Sequence, residues 1–217
     1  MLGIIFTGGE GPPVLAVKRL LETEVKDALF VAADSGLAAA ESAGLKPHWI
    51  IGDMDSLGDL SRLCAYSQER IIRLQHEKDY TDTEVAISHV VEQGCDCFWI
   101  IGGGGGRIDH LFAIRSLFER EIFPCRWITN NADIRCIDAD NSERGRLFCS
   151  LDRGAAVSVF PLGNGPWEAE SSGLKWPLAG LPWDRGFYGL SNVAVDGEFS
   201  IKAESGRFMV ILPHLLY

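Results

Sequence analysis

The chain lacks any long apolar run. Its longest stretches, such as Ala28–Ala33 and Phe98–Ile101, fall far short of the roughly 20 consecutive apolar residues that span a bilayer. No basic segment stands ahead of an apolar stretch at the N-terminus, which argues against a secretory signal. Basic residues are scarce: 20 Lys and Arg against 30 Asp and Glu give a net charge of −10, a poor match for the phosphate backbone of nucleic acid. That deficit leaves a small phosphorylated ligand open, because a bound metal inverts the local charge. The six cysteines contain no Cys-x-x-Cys pair and no His at a zinc-like spacing. Buried reduced thiols are the expectation, and they fit a cytoplasmic protein. There is no internal repeat. What is present is ordinary for a soluble globular protein: 217 residues, 47% apolar and 23% charged.

Short apolar runs at Leu2–Phe6, Ala28–Ala33, His48–Ile51, Ile71–Leu74, Cys97–Ile101 and Arg126–Thr129 predict buried strands. Helices are predicted from Pro12-Pro13 to about Glu24 and over Ser35–Ala43, Thr83–Gln93 and Leu111–Glu121. Strands alternating with helices predict an open α/β layer with a largely parallel sheet. After Asn130-Asn131 the pattern changes to strand-like runs broken by Gly, Asn and Asp: Ile134–Ala139, Gly145–Leu151, Ala156–Phe160, Leu190–Val195, Glu198–Ala203 and Phe208–Leu212. Asp196-Gly197 reads as a two-residue hairpin. The expected architecture is an α/β domain over residues 1–135 followed by a smaller all-β domain, an antiparallel sandwich or barrel, over 136–217.

Four acid-bearing turns dominate the first part: Asp34, Gly52-Asp53-Met54-Asp55-Ser56, Lys78-Asp79-Tyr80-Thr81-Asp82 and Arg107-Ile108-Asp109-His110. In an open parallel sheet the carboxyl ends of the strands form one rim where ligands bind. Five or six acids gathered there repel one another unless a cation joins them. Mg²⁺ prefers oxygen ligands and binds through one or two carboxylates plus substrate phosphates. The pattern therefore predicts a metal–phosphate site.

Each string also has a structural reading. Asp53 and Asp55 can be a solvated turn. Thr81-x-x-Glu84 is a capping box, which explains those two residues without function. Asp82 complements the helix dipole, but Asp79 lies outside the helix and has no such role. Gly102–Gly106 is not a Walker A loop, since no Gly-Lys-Ser/Thr follows. Between a strand and a helix its free amides can hold phosphate oxygens, and Arg107 can grip phosphate with its planar fork. Asp109 is read as nucleotide ligand or helix N-cap, and His110 as ligand, base or packing residue. Trp176, followed by Pro177, can present a flat face to a ring or can be core; Trp167, Trp183, Phe187 and Tyr188 carry the same two readings.

Taken together, Asp34-Ser35-Gly36, Gly52-Asp53-Met54-Asp55-Ser56, Asp79-x-Thr81-Asp82, Gly105-Gly106-Arg107-x-Asp109-His110, Gly173-Leu174-Lys175-Trp176 and Ser191-Asn192 resemble, in order, the thiamine pyrophosphokinase family. The resemblance spans roughly residues 3–212. It implies an α/β domain, a smaller β domain that binds thiamine and makes dimer contacts, and homodimers with sites between the α/β domain of one subunit and the β domain of the other. It implies transfer of a diphosphate group from ATP to the hydroxyl of thiamine, with Mg²⁺, releasing AMP. Carried over, Asp53, Asp55 and Asp79 match the Mg²⁺–phosphate cluster, and Asp82 the carboxylate on the aminopyrimidine. Asp34, Lys78, Gly105, Gly106, Arg107 and Asp109 fall to the nucleotide. Trp176 matches the residue that stacks on thiamine, with Ser191 and Asn192 beside it. Met54 stands where an aromatic is frequent, and Ile114 where a polar residue often follows the Asp-His string. The alternatives are a Mg²⁺-dependent nucleotide diphosphohydrolase, which gives Trp176 and Ser191-Asn192 no role, and a non-enzymatic nucleotide sensor, which needs fewer acids.

Overall fold

The computed structural model describes residues Met1–Pro213; the last four residues of the expected β domain, 214–217, lie outside the described residues. The described chain divides into two units. One comprises Met1–Phe112 and Trp127–Asn131; the other comprises Ala113–Arg126 and the residues from Ala132 onward.

The first unit is built from β1 (Leu2–Phe6), α1 (Val14–Glu24), β2 (Ala28–Ala33), α2 (Gly36–Ser42), β3 (Trp49–Gly52), β4 (Ile71–Arg73), α3 (Asp82–Glu92), β5 (Cys97–Ile101), the start of α4 (Ile108–Leu117) and most of β6 (Arg126–Ile128). Two short 3-10 turns, Leu60–Ala65 and Gln68–Arg70, lead into β4. The strand order is β6–β5–β1–β2–β3–β4. β1 pairs in parallel with β2 and β5, β2 with β3, and β3 with β4. These strands read as continuous apolar runs because helices cover both faces. On one face Ile4 and Phe6 pack with Val17 of α1 and Ala40 of α2. On the other, Gly3 faces Val90 of α3, where an added Cβ would come within 3.1 Å. Alternation along β1 sets this division.

From β1 the chain steps outward through β2 and β3 to β4, then returns to the opposite side of β1 for β5 and β6. The direction of winding thus reverses at β1 and β5, and the crevice outside their carboxyl ends is the switch point where open α/β sheets bind ligands. The loops that leave these two strands are Thr7–Gly11 and Gly102–Gly106.

The second unit contains β7 (Ala132–Asp138), β8 (Arg146–Ser150), β9 (Ala156–Leu162), β10 (Glu168–Ser172), β11 (Gly189–Val193), β12 (Glu198–Ser205) and β13 (Arg207–Pro213). All its pairings are antiparallel: β11–β9–β13–β7 in one layer and β10–β12–β8 in the other. Val157 and Val159 of β9 and Phe208, Val210 and Leu212 of β13 share one core with Phe199, Ile201 and Ala203 of β12. That is a sandwich, closed by inward alternation on both sheets.

Three expectations are corrected, and one strand is added. Asp196-Gly197 does not close a hairpin: β11 pairs with β9 while β12 pairs with β8 and β10, so this turn carries the chain from one sheet to the other. The helix expected at Leu111–Glu121 spans Ile108–Leu117 instead, which puts Asp109 in its first turn rather than at the N-cap. β10 escaped the sequence reading because Ala169 is its only apolar residue and its only buried one. Cys97 and Cys125 are disulfide-bonded, whereas Cys64, Cys95 and Cys136 are free thiols. Neither cysteine of the bridge stands at a spacing that marks it in the sequence. The expected domain boundary at 135/136 falls inside β7.

Candidate active site

The acids of the first unit reach the rim through a series of sharp turns. Asp34, directly after β2, is held at φ 48°, and Met54, between Asp53 and Asp55, at φ 69°. Left-handed backbone at a non-glycine residue is strained and clusters at functional sites. At Met54 its effect is visible: the side chain drops into a core of Ala32, Leu37, Ile50, Leu63 and Ile71, while the flanking carboxylates stay at the surface. Met54, at the position where an aromatic is frequent, is a packing residue here.

Oxygens of Asp34, Asp53 and Asp82 lie within 4.8 Å of one another, and so do ligand atoms of Asp53, Asp55 and His76. Lys78 is the cation among the first three: its Nζ lies 2.9 Å from Asp53 Oδ2 and 2.9 Å from Asp82 Oδ1. The contact to Asp82 Oδ1 has ion-pair distance but not hydrogen-bond alignment, so that buried oxygen has no hydrogen-bond partner. Burial works to lower the pKa of Lys78, but the two carboxylates beside it, Asp53 and Asp82, raise it. The same bond from Lys78 holds the Asp53 carboxyl below the usual range, helped by the Asp55 amide, which donates to Asp53 Oδ1 at 3.2 Å. Asp34 goes the other way. Burial pushes its carboxyl up, and the charges of Asp82 and Asp53 add to that. Its Oδ2 accepts from Ser56 Oγ, while its Oδ1 is buried without a partner.

Asp55 is exposed and faces His76 at 3.2 Å. Asp79 is exposed on the preceding turn and belongs to neither group. The capping box expected at Thr81 and Glu84 is present: the Glu84 amide donates to Thr81 Oγ1 and the Thr81 amide to Glu84 Oε2. It fixes the start of α3 and therefore the position of Asp82, the first residue of that helix. The all-carboxylate set around Lys78, with two buried oxygens lacking hydrogen-bond partners, suits a hard divalent cation that prefers oxygen ligands.

At the switch point the two loops are laced together. The Glu10 amide donates to Gly104 O at 2.7 Å, the Gly104 amide to Glu10 O at 2.9 Å, and the Gly103 amide to Gly8 O at 2.7 Å. Asn130 Nδ2 donates to Glu10 Oε2 at 2.6 Å. Two glycines are required by this lacing. A Cβ at Gly104 would come within 2.6 Å of both Glu10 O and Asn130 Oδ1, and one at Gly105, where φ is 63°, within 2.2 Å of the Glu10 carboxyl carbon. The glycine loop is therefore held in shape, not loose. Thr7 beside it shares a buried 2.7 Å hydrogen bond with Thr83 of α3. Arg107 closes onto Asp109 with a two-pronged pair, Nε to Oδ1 at 3.1 Å and Nη2 to Oδ2 at 2.5 Å; both side chains are exposed. His110 is exposed as well.

In the second unit Trp176 is 52% exposed, with Lys175 Nζ 4.5 Å from its ring centroid. Buried Asn192 spends its amide on main chain: Oδ1 accepts from the Trp176 and Val193 amides, and Nδ2 donates to Trp176 O at 2.6 Å. Asn192 thus clamps the backbone that displays the indole. Ser191, at φ 54°, is exposed, and its amide donates to Ser158 Oγ at 3.1 Å. Of the other aromatics, Trp183 meets Phe208 and Phe187 edge-on and joins the core.

Glu10, Asn130 and His76 were not among the residues picked out from sequence, and Ser56 was picked out only as the end of the Gly52–Ser56 string. Glu10 lies in the glycine-rich string after β1, which was the one signal available. Its partner Asn130 is 120 residues away.

The sequence profile described as thiamin pyrophosphokinase, catalytic domain, matches residues 21–124. A thiamine pyrophosphokinase of Bacillus subtilis (strain 168) is 28% identical over 156 residues, 69% of this chain and 70% of that protein. Among solved structures, thiamin pyrophosphokinase from Geobacillus thermodenitrificans superposes with a TM-score of 0.73 at 24% identity, covering 98% of this chain and 97% of that one. The Bacillus subtilis enzyme gives 0.74 at 21% identity, covering 98% of each chain. Thiamin pyrophosphokinase from Candida albicans gives 0.67 at 15% identity, covering 98% of this chain and 88% of that one. At these identities the structural likenesses establish the fold.

Proposed function

We infer that this chain, a member of the thiamine pyrophosphokinase family, transfers a diphosphate group from ATP to the hydroxyl of thiamine, giving thiamine diphosphate and AMP. The observation that carries this reading is the rim itself. Asp34, Asp53 and Asp82 converge around Lys78, with two buried carboxylate oxygens left without hydrogen-bond partners, next to a braced glycine loop at the topological switch point. Asp53, Asp55 and Asp79 are the proposed Mg²⁺ ligands: Asp53 belongs to both acid clusters and Asp55 to the one with His76, while Asp79 stands outside both on the neighbouring turn. Mg²⁺ bound there supplies charge neutralisation on the triphosphate.

The chain's own groups position the reactants. The amides of Gly105 and Gly106, beyond the laced part of the Gly102–Gly106 loop, cradle phosphate oxygens, and Asp34 and Asp109 belong to the same nucleotide site. Arg107 and Lys78 steady the AMP leaving group. Asp82, whose Oδ1 has no hydrogen-bond partner, takes the aminopyrimidine amine of thiamine. Trp176 stacks on thiamine beside Ser191, and Asn192 acts by holding Trp176 in place. The thiamine oxygen attacks the β-phosphorus in line, the bond from that phosphorus to the α–β bridging oxygen breaks, and the hydroxyl proton passes to a carboxylate of the cluster.

Two copies are proposed to share the work, the α/β part of one facing the β part of the other in a homodimer. The exposed Trp176 and Leu190 support that arrangement. No helix among the described residues is long and apolar enough to cross a membrane, and a reaction that consumes ATP is proposed to run in the cytoplasm.

The test is purified protein with ATP, Mg²⁺ and thiamine, scored for both products. Equal thiamine diphosphate and AMP, both lost with EDTA or without thiamine, is the expected result. ATP breakdown indifferent to thiamine would mean a diphosphohydrolase instead, and ATP binding without turnover would mean a sensor.

A further inference from the structure

The second unit holds an open cavity of about 500 Å³ that the reaction above does not use. This volume lies within the roughly 300–1,000 Å³ of small-molecule sites. Its walls include Arg115, Glu119, Asn164, Trp167, Arg185 and Tyr188. Arg115 and Glu119 form an i,i+4 ion pair, and the other Glu119 oxygen accepts from the Gly163 amide, so this carboxylate is fully engaged. The Arg185 guanidinium donates to the side-chain oxygen of Asn164, a neutral partner. Counted over these groups, the cavity keeps one uncompensated positive charge on a chain whose net charge is −10.

The aromatic walls have distinct supports. Trp167 is fixed through its indole, whose Nε1 donates to Leu162 O at 2.8 Å. Tyr188 leans on Phe160 with ring centroids 4.8 Å apart and still exposes 47% of its surface. The cavity lies at the Pro161–Asn164 end of β9, whereas Ser191 and Asn192 pair with the Val157–Ser158 end. A planar guanidinium fork recognises phosphate or carboxylate, and fixed aromatic faces recognise a flat ring.

We propose that this cavity binds a small molecule joining a planar aromatic ring to an anionic group, of the nucleoside monophosphate kind. Arg185 takes the anion and Tyr188, with Trp167, the ring. The cavity draws on none of the rim carboxylates and needs no metal, so it is independent of the proposed reaction.

The test is calorimetric titration of the intact protein in EDTA with three probes: AMP, adenosine and inorganic phosphate. The expected result is saturable AMP binding that is retained in Gly104→Ala, which impairs the rim nucleotide site, with adenosine and phosphate each at least about tenfold weaker. R185E should remove that binding while Mg²⁺-dependent turnover stays at the wild-type level. As a measurement that needs no variant, the Trp167 indole N–H resonance should shift saturably with AMP. Absence of saturable AMP binding, binding unchanged in R185E, or adenosine or phosphate binding as tightly as AMP would each overturn the proposal.

Discussion

The two units solve the problem of presenting a binding group in opposite ways. In the first, charged groups crowd a rim, and their neighbours are other charges: Lys78 between Asp53 and Asp82, and Asp34 pushed up by burial and by both carboxylates. In the second, a neutral ring is displayed by a neutral clamp, Asn192 bonded to the main chain on either side of Trp176. A rim of like charges is tuned for what it binds and costs stability until it binds. A main-chain clamp contributes to stability whether or not anything is bound. Substitutions in the two places should therefore separate activity from stability in opposite directions.

The largest effect is expected at the rim. Asp55→Asn should lower kcat by about two to three orders of magnitude or more, with Tm close to wild type, because Asp55 is exposed and its one ion-pair partner is exposed His76. Steady-state kinetics beside a thermal melt decides it, and a fully active variant would remove Asp55 from the site. Next comes the glycine loop. Gly104→Ala would push against Glu10 O and Asn130 Oδ1, so KM for ATP should rise on the order of tenfold to a hundredfold while KM for thiamine holds. Equal KM values for ATP would mean that the lacing does not shape the nucleotide site.

In the second unit the order reverses. Asn192→Ala deletes three hydrogen bonds to main chain and should cost about 2–3 kcal/mol in urea unfolding. Trp176→Ala, at an exposed ring, should leave the urea midpoint in place and raise KM for thiamine by about tenfold. If Trp176→Ala proves the less stable of the two, the contrast between clamp and platform collapses.

The smallest effect is on the alkaline side, with one group in each unit. Burial, then Glu41, pushes Tyr66 up to about 12, and burial pushes Cys136 up to about 12. Both are acids whose folded values lie above the unfolded 10.0 and 9.0. Between those limits the folded chain keeps protons that the unfolded chain has released, so stability falls as pH rises. Urea midpoints from pH 8 to 12 should decline from about pH 9 onward, more shallowly in Tyr66→Phe. A flat profile would contradict it.

What the sequence made legible follows the range of the interaction. The parallel strands stand out as apolar runs because both faces are buried, and Asp34 and Asp53 are found by their place directly past a strand end. The capping box at Thr81 and Glu84 is local and appears as read. What stayed hidden depends on residues distant in the chain. Asn130 braces Glu10 across 120 positions. The disulfide-bonded Cys97 and Cys125 have no spacing that marks them. Asp196-Gly197 has hairpin chemistry, but the pairing of β11 and β12 with other strands decides its role. The bonds from Asn192 to the backbone of Trp176, 16 residues away, leave no local sequence signal.

The central claim is that the rim directs attack at the β-phosphorus of ATP. It is tested most directly by running the reaction with ATP radiolabelled at either the α- or the γ-phosphorus and separating the products. The account predicts α-label only in AMP and γ-label only in thiamine diphosphate. Label from the γ-phosphorus in inorganic phosphate or thiamine monophosphate, with ADP formed, would contradict it.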